Sequence, residues 1–462
     1  MYQKKYHIFF VGIGGIGMSG IAELLLNLGY KVSGSDLKLS PITDRLKKLG
    51  VNIFAGHSKE NIKDIDVVVT STAVPRENPE ICTAKERGVP VIPRAQMLAE
   101  LMRFKYGIAV AGAHGKTSTT SIVAAILNHG KLDPTVVIGG ILKNSETNSL
   151  HGQGNFMVVE ADESDGSFLK LFPTIAIVTN IDREHLDYYS GIDEIKKAFL
   201  DFINLVPFYG TAIICTDNKY INELLPNIKE RYITYGTNKN ADLYAKNITF
   251  KNDSGTFDLD LKGKNLGTIT INLPGMHSIL NAMAAIATGL ELEIPFNTIK
   301  FALKKITGVK RRLELKGEIN NIKIMDDYGH HPTEIITTIK VAKQSWPNRR
   351  LIIAFQPHRF TRTQALFNEF STAFINSDYL IILPVYSAGE TPIKGINSET
   401  LLDSIKKNGH NNAVYINSKK EAKTYLKEQL KENDLLITMG AGDVYKLGEE
   451  LLLENEKLKI NS

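Results

Sequence analysis

The stretch Ala111-Gly112-Ala113-His114-Gly115-Lys116-Thr117-Ser118-Thr119-Thr120 carries the residue types that hold a nucleotide phosphate, in the order that such binding needs. Gly112 and Gly115 let backbone N–H groups approach an anion, and a helix starting just beyond them adds the partial positive charge of its N-terminus. Lys116 then reaches the terminal phosphates, and the Thr117 hydroxyl enters a Mg²⁺ shell. The common pattern has four residues between its glycines, whereas two separate Gly112 from Gly115. A Gly-Lys-Thr that merely opens a helix would need strand, glycines, lysine and hydroxyl to coincide by chance.

Other apolar runs end in polar clusters too. Phe156-Met157-Val158-Val159 leads into Glu160-Ala161-Asp162-Glu163-Ser164-Asp165, and acids downstream of a Lys-Thr loop hold Mg²⁺ directly or through water. Glu160, at the strand end, is the favoured ligand. Thr174 to Thr179 leads into Asn180-Ile181-Asp182-Arg183-Glu184-His185-Leu186-Asp187. His185 alone reads as a capping or surface histidine, but beside a third consecutive strand end its imidazole suits a second cation shared with Glu160. His277 and Asn281 are four apart in a run of small and apolar residues, so one helix face turns both towards a ligand or a loop. Two more strands run into Asp326-Asp327-Tyr328-Gly329-His330-His331-Pro332 and Gln356-Pro357-His358-Arg359-Phe360-Thr361-Arg362-Thr363, where Arg359 and Arg362 suit a carboxylate partner. Near the N-terminus the turn Gly12-Ile13-Gly14-Gly15-Ile16-Gly17 follows a short strand, and Asp36 ends the next strand where a ribose-binding carboxylate belongs. Such turns hold nicotinamide cofactors or other nucleotide diphosphates, and the second fits better here. Ser71-Thr72-Ala73 leaves a further strand at the same carboxyl edge, where ligands sit in doubly wound sheets.

The elements that position these groups alternate short apolar strands with amphipathic helices, which predicts α/β architecture with mostly parallel sheets covered on both faces. The strand Gly107-Ile108-Ala109-Val110 feeds the phosphate loop, and a helix from Thr119 to about Asn128 follows, with Ile122, Val123, Ile126 and Leu127 inward. Gly107 opens a second nucleotide unit, which places one boundary near residue 106. Gly308 to Glu314, with the pair Arg311-Arg312, reads as a linker and places the other. The expected domains are 1–106, Rossmann-like; 107–308, a central ATPase-type domain; and 309–462, a second Rossmann-like α/β domain. Residues 211 to 270 read as short strands and turns without chemistry.

Composition adds limits. The 462 residues exceed one core, and 43% hydrophobic with 23% charged residues is ordinary for a globular enzyme. A net charge of +5, from 55 basic and 50 acidic residues, gives no cation field for nucleic acid. The two cysteines, Cys82 and Cys215, read as buried thiols in a reducing compartment. No apolar span suggests a signal peptide or membrane helix, so a cytoplasmic protein without membrane partners is expected.

Four motifs, Gly-Ala-His-Gly-Lys-Thr, Glu-Ala-Asp-Glu-Ser-Asp, Asn-Ile-Asp-Arg-Glu-His-Leu-Asp and Asp-Asp-Tyr-Gly-His-His-Pro, stand in fixed order, and together they resemble the Mur ligases of peptidoglycan synthesis over the whole chain. The N-terminal Val-Gly-Ile-Gly-Gly-Ile-Gly-Met-Ser-Gly and Gln-Pro-His-Arg-Phe-Thr-Arg-Thr are most similar to the alanine-adding branch. The resemblance implies a first domain that holds the UDP of UDP-N-acetylmuramate through Gly12, Gly14, Gly15, Gly17, Asp36, Ser71, Thr72 and Ala73. It implies ATP at Gly112 to Ser118, Asn281, Arg312 and Asp327, and two Mg²⁺ ions at Thr117, Glu160 and His185. For L-alanine the matching positions are Tyr328, His330, Arg359 and Arg362.

The implied chemistry activates a carboxylate as an acyl phosphate, which the alanine amine then attacks. Lys116, Glu160, His185 and His330 would serve it, His330 by orienting or deprotonating the amine. Several relatives carry a lysine, modified to a carbamate, about fifteen residues after the metal-binding histidine; Leu200 stands at that position here. The chain is expected to act as a monomer or homodimer. Alternative readings are a recycling ligase that attaches a whole peptide to the same nucleotide sugar, an NAD-dependent oxidoreductase using the Gly12 turn, and a nucleotide-dependent switch.

Overall fold

The computed structural model describes residues 6–71, 73–138, 149–185, 188–251 and 254–460. Thr72, Gly139, Gly140, Leu186 and Asp187 lie outside the described residues. Among the described residues the strands fall into three sheets. The first holds β1 (His7–Val11), β2 (Lys31–Asp36), β3 (Asn52–Ala55), β4 (Val67–Thr70) and β5 (Val91–Pro93) in the order β3-β2-β1-β4-β5, all parallel.

The second sheet holds β6 (Tyr106–Ala111), β7 (Thr135–Val137), β8 (Ser149–Leu150), β9 (Phe156–Glu160), β10 (Pro173–Val178), β11 (Thr211–Cys215), β12 (Tyr232–Gly236), β13 (Leu243–Lys251), β14 (Ser254–Leu261) and β15 (Lys264–Ile271). Their order is β15-β14-β13-β12-β11-β10-β6-β9-β7-β8. From β13 to β7 the neighbours are parallel, while β8 and β15 each run against their partner. The region read as short strands thus contains strands of eight and nine residues, and a helix, Lys219–Leu224.

The third sheet holds β16 (Glu314–Ile319), β17 (Ile322–Asp327), β18 (Arg350–Phe355), β19 (Tyr379–Ile382), β20 (Ala413–Tyr415) and β21 (Asp434–Met439) in the order β16-β17-β21-β18-β19-β20. Only β16 is antiparallel to its neighbour. The first sheet and most of the second lie in one compact unit, and the third sheet lies in another.

Parallel strands buried on both faces need continuous apolar runs. Ile108 to Ala111, Met157 to Val159 and Ile175 to Val178 are at most 3% exposed. In the third sheet alternate residues divide between two cores: Met325, Ile353, Phe355 and Ile437 on one face, Ile324, Ile352, Ala354 and Leu436 on the other.

Strand order decides where the chemistry sits. β6 lies between β9 and β10, so its exit loop is flanked by the exits of both, and β1 between β2 and β4 has the same relation to its neighbours. Among the described residues no helix is long and apolar enough to cross a membrane.

The linker pair divides its labour. Arg311, at φ +63°, donates from Nε to Asp326 Oδ2 at 2.9 Å and from Nη2 to the Gly440 carbonyl at 2.5 Å. Its guanidinium also lies against the rings of Tyr328 and Tyr445, at 4.9 and 4.7 Å. Asp326 is fully buried, and that burial raises its pKa although Arg311 opposes the shift. Removing one partner strands a buried charge, so Arg311→Ala is expected to destabilise the C-terminal unit by about 3 kcal/mol in urea unfolding. Arg311→Lys should recover less than half of that, because it lacks the planar fork. A loss below about 1 kcal/mol would show that the pair is dispensable.

Candidate active site

The helix after β6 starts three residues earlier than the sequence pattern suggests, at Lys116, because Gly115 at φ +84° forms its N-cap and lets the chain turn straight into Lys116–His129. Gly112 sits at φ +141°, and a Cβ there would lie 2.0 Å from Thr179 Oγ1. A Cβ on Gly115 would lie 2.6 Å from Asn281 Oδ1, so the helix Met276–Glu291 brings Asn281 against the loop. The exit of β10 holds the loop's first half. Asn180 accepts from the Ala113 and His114 N–H groups at 3.2 and 2.8 Å, and Thr179 Oγ1 and Asn180 Nδ2 donate to the His114 carbonyl at 2.7 and 2.9 Å.

Lys116 Nζ donates to the Gly112 carbonyl and to Glu163 Oε1, both at 2.7 Å. His185 Nε2 lies 3.5 Å from the same Glu163 oxygen and 3.8 Å from Glu184 Oε2. Burial alone would raise the Glu163 pKa, but Lys116 and His185 outweigh it and hold the carboxyl below its usual value. The same contacts raise the pKa values of Lys116 and His185 against their own desolvation.

One ligand atom each from Glu163, Glu184 and His185 falls within 4.8 Å of the others. Glu163 is 3% exposed, and its Oε2 has no hydrogen-bond partner. Two carboxylates and an imidazole suit a hard divalent cation. The sequence pattern favoured Glu160 to meet His185, and the structure brings Glu163 to it instead. The reason is a tight turn. Ala161 N–H extends the ladder to the Val110 carbonyl at 2.9 Å, and then Gly166 N–H returns to the Glu163 carbonyl at 3.1 Å. Tyr189 OH also donates to that carbonyl, at 2.6 Å. Glu160 lines a recess with Arg94, Asp162 and Ser167.

Arg94, the first residue of the helix Arg94–Met102, carries no motif that marks it in the sequence. Its Nη2 lies 3.0 Å from Asp162 Oδ2, and its Nη1 would be 2.7 Å from a Cβ on Gly17. It therefore joins the glycine turn of the first sheet to the acidic turn of the second. In that glycine turn the Gly12 and Ile13 N–H groups donate to the Ser35 carbonyl at 2.9 Å. Asp36 is engaged there as well, accepting from Gly14 N–H at 2.9 Å and Lys38 N–H at 3.1 Å. Gly15 caps the helix Ile16–Asn27, and Ser71 and Ala73 lie beyond β4.

In the third sheet Tyr328, His330 and Arg362 come together. The Tyr328 and His330 rings meet edge to face at 5.4 Å, and His330 Nδ1 lies 3.1 Å from the Tyr328 carbonyl. Arg362 Nη1 is 3.3 Å from His358 Nδ1, and His358 stacks on Tyr386 at 5.5 Å. His358, Tyr386 and Glu334 thus join the cluster, although the sequence pattern assigned them no role. Arg359 is exposed, at φ +70°, its N–H held by the Tyr386 carbonyl at 2.8 Å. Arg312 Nη1 lies 3.5 Å from Glu334. Asp327 faces inward and accepts from Leu313 and Gly329 N–H groups at 2.8 Å; burial pushes its pKa up to about 6. Burial also lowers His330 and His358 to about 4, so both rings are neutral at pH 7.

Residues 7–106 match a family model described as Mur ligase family, catalytic domain; 110–289 match Mur ligase middle domain; and 311–442 match Mur ligase, glutamate ligase domain. A protein of Desulforapulum autotrophicum named UDP-N-acetylmuramate--L-alanine ligase is 57% identical over 452 residues, covering 98% of this chain and 99% of the relative. One of the same name from Geobacter sulfurreducens is 53% identical, covering 99% and 100%. Among solved structures, the UDP-N-acetylmuramate-alanine ligase of Thermotoga maritima has a TM-score of 0.84 at 29% identity, covering 98% of this chain and 99% of that one. A murein peptide ligase from Psychrobacter arcticus has a TM-score of 0.71 at 25% identity, covering 97% and 98%.

Two measurements check the geometry. Gly112→Ala adds a methyl group where Thr179 already stands, in a backbone region closed to most L-residues, so nucleotide affinity is expected to fall more than tenfold while the fold survives. Unchanged affinity would mean that the loop accepts the methyl group. The low His330 pKa has a thermal consequence. The unfolded chain takes up a proton on this ring near pH 6.5 and the folded chain only near 4, so stability present above pH 6.5 is lost as pH falls towards 4. His330→Asn should shrink the drop in Tm between pH 7 and pH 5, with a linkage on the order of 1 kcal/mol at pH 5. An equally steep drop in the variant would remove His330 from the account.

Proposed function

The chain belongs to the Mur ligase family, and from that premise we propose that it joins L-alanine to the carboxylate of UDP-N-acetylmuramate in an ATP-dependent reaction of peptidoglycan precursor synthesis. The observation that carries this reading is the convergence of the Gly112–Lys116 loop, the acidic turn after β9 and His185 at adjacent strand ends. High identity to alanine-adding relatives along nearly the whole chain supports it over peptide recycling.

The proposed roles of the site residues are as follows. The first sheet's turn, Gly12 to Gly17, with Asp36, Ser71 and Ala73, receives the UDP of the donor. Gly112 to Ser118 and Asn281 receive ATP. Thr117, Glu160 and His185 would hold Mg²⁺, as two ions, one of them at His185 where Glu163 stands alongside, and when bound they would neutralise charge on the moving phosphoryl group. Lys116 steadies the γ-phosphoryl group as it passes from ATP to the donor carboxylate, leaving ADP. The carboxylate becomes an acyl phosphate, and attack by the alanine amine then expels phosphate. His330, neutral at pH 7, orients that amine or takes its proton, and Tyr328, Arg359 and Arg362 receive the alanine carboxylate. Such a reaction belongs in the cytoplasm, where ATP and nucleotide sugars are available.

Phosphate release from ATP with Mg²⁺ is expected only when UDP-N-acetylmuramate and L-alanine are both present, with an amide product. Lys116→Ala should lower kcat by roughly 100-fold or more. Arg362→Ala should raise KM for alanine roughly tenfold and leave KM for ATP unchanged. Release supported by a tripeptide but not by alanine would assign the recycling reaction, and release indifferent to the nucleotide sugar would end the ligase reading.

A further inference from the structure

Three acids follow Ala161 in the turn after β9, and they are committed differently. Asp162 is taken by Arg94 at 3.0 Å and by Ser164 Oγ at 2.6 Å. Asp165 accepts from Ser167 N–H at 3.0 Å. Glu163 alone of the three faces the phosphate loop. Its Oε1 is shared by Lys116 and His185, its Oε2 is buried without a hydrogen bond, and its backbone is fixed by Tyr189. A carboxylate oxygen buried in that state is costly unless some partner arrives. Glu184, from the neighbouring strand exit, completes the set with His185.

We propose that Glu163 is a handover carboxylate: without nucleotide it neutralises Lys116, and when nucleotide phosphates draw Lys116 away it becomes, with Glu184 and His185, the ligand of a divalent cation. The idea rests on the ligase reading in taking the Gly112–Lys116 loop as the nucleotide site. The electrostatics give the order of events. While Lys116 sits 2.7 Å from Glu163 Oε1, a cation entering the cradle would face an ammonium group at contact range. Once polyphosphate engages the ammonium, that repulsion is removed, and Glu163 is left as an anion with both oxygens open to the ion. Cation binding at His185 is therefore contingent on nucleotide, and by linkage the cation in turn tightens nucleotide. The site avoids two opposite errors: an unpaired buried lysine when empty, and an unpaired buried carboxylate when loaded.

The test uses Mn²⁺ as probe, read by electron paramagnetic resonance on the full chain, with and without a saturating non-hydrolysable ATP analogue. The readout is binding, so it is independent of turnover. In the wild type, Mn²⁺ at this cradle should bind at least tenfold more tightly in the nucleotide complex than in its absence. Glu163→Gln should lose at least tenfold of that Mn²⁺ affinity. It should also bind the analogue without any cation at least as tightly as wild type, since Lys116 no longer has to leave a carboxylate. A residue that merely braced the turn would weaken both measurements, and that result, or unchanged Mn²⁺ affinity, overturns the proposal. Glu184→Gln supplies the same readout should Glu163→Gln fail to fold: it should weaken Mn²⁺ only in the nucleotide complex, and unchanged Mn²⁺ binding would dismiss the cradle. Failure of the wild type to bind the analogue would instead refute the nucleotide site itself.

Discussion

The first turn of the helix Lys116–His129 has N–H groups that no helix can satisfy from within, and the site depends on keeping them directed outward. A loop of small residues would not hold that arrangement by itself. Thr179 and Asn180, from the strand exit next door, capture the His114 carbonyl and the two N–H groups before the turn, so the loop's first half is held from outside the helix. The loop's shape is thus imposed by β10 as much as by its own glycines. The parallel register of β6 with β10, where Ala111 stands opposite Val178, is what brings those two residues to hand.

Charge follows the same logic of mutual dependence. Lys116, Glu163 and His185 each lose hydration by lying in the cleft; Glu163 draws the pKa values of the other two upward, and they hold its own down. Such groups have no stable arrangement singly. The third sheet solves the opposite problem, since its histidines are kept neutral by burial beside arginines. One chain therefore maintains a strongly ionic pocket and a neutral-imidazole pocket, each set by what surrounds the ring.

Much of this was legible in sequence because the informative residues sit at strand exits, where apolar runs stop and glycine, acid or histidine begins. The runs gave β6, β9 and β10, and the motifs gave the family. Glu163 was not legible, because which acid of Glu160 to Asp165 turns inward depends on a return hydrogen bond at Gly166 that no periodicity encodes. His358 and Tyr386 stack although they stand 28 positions apart in sequence, so only the bridge between them reveals the pair. Asp36 and Asp327 matched ligand-facing positions in the motif, yet both accept backbone N–H groups of their own turns. A carboxylate at a strand end suits a ribose and a tight turn equally well, and sequence alone does not separate the two uses.

Arg94 touches the glycine turn of the first sheet and the acidic turn of the second, and both belong to one compact unit. The span between the two phosphate-receptive loops is thereby a fixed length. Under the proposed assignment, a donor whose diphosphate lay at one end would have to present its carboxylate at the other, and a shorter or longer arm would place the reactive oxygen off target. Arg94 would then act as the spacer of a gauge, and selection of the donor would begin with reach.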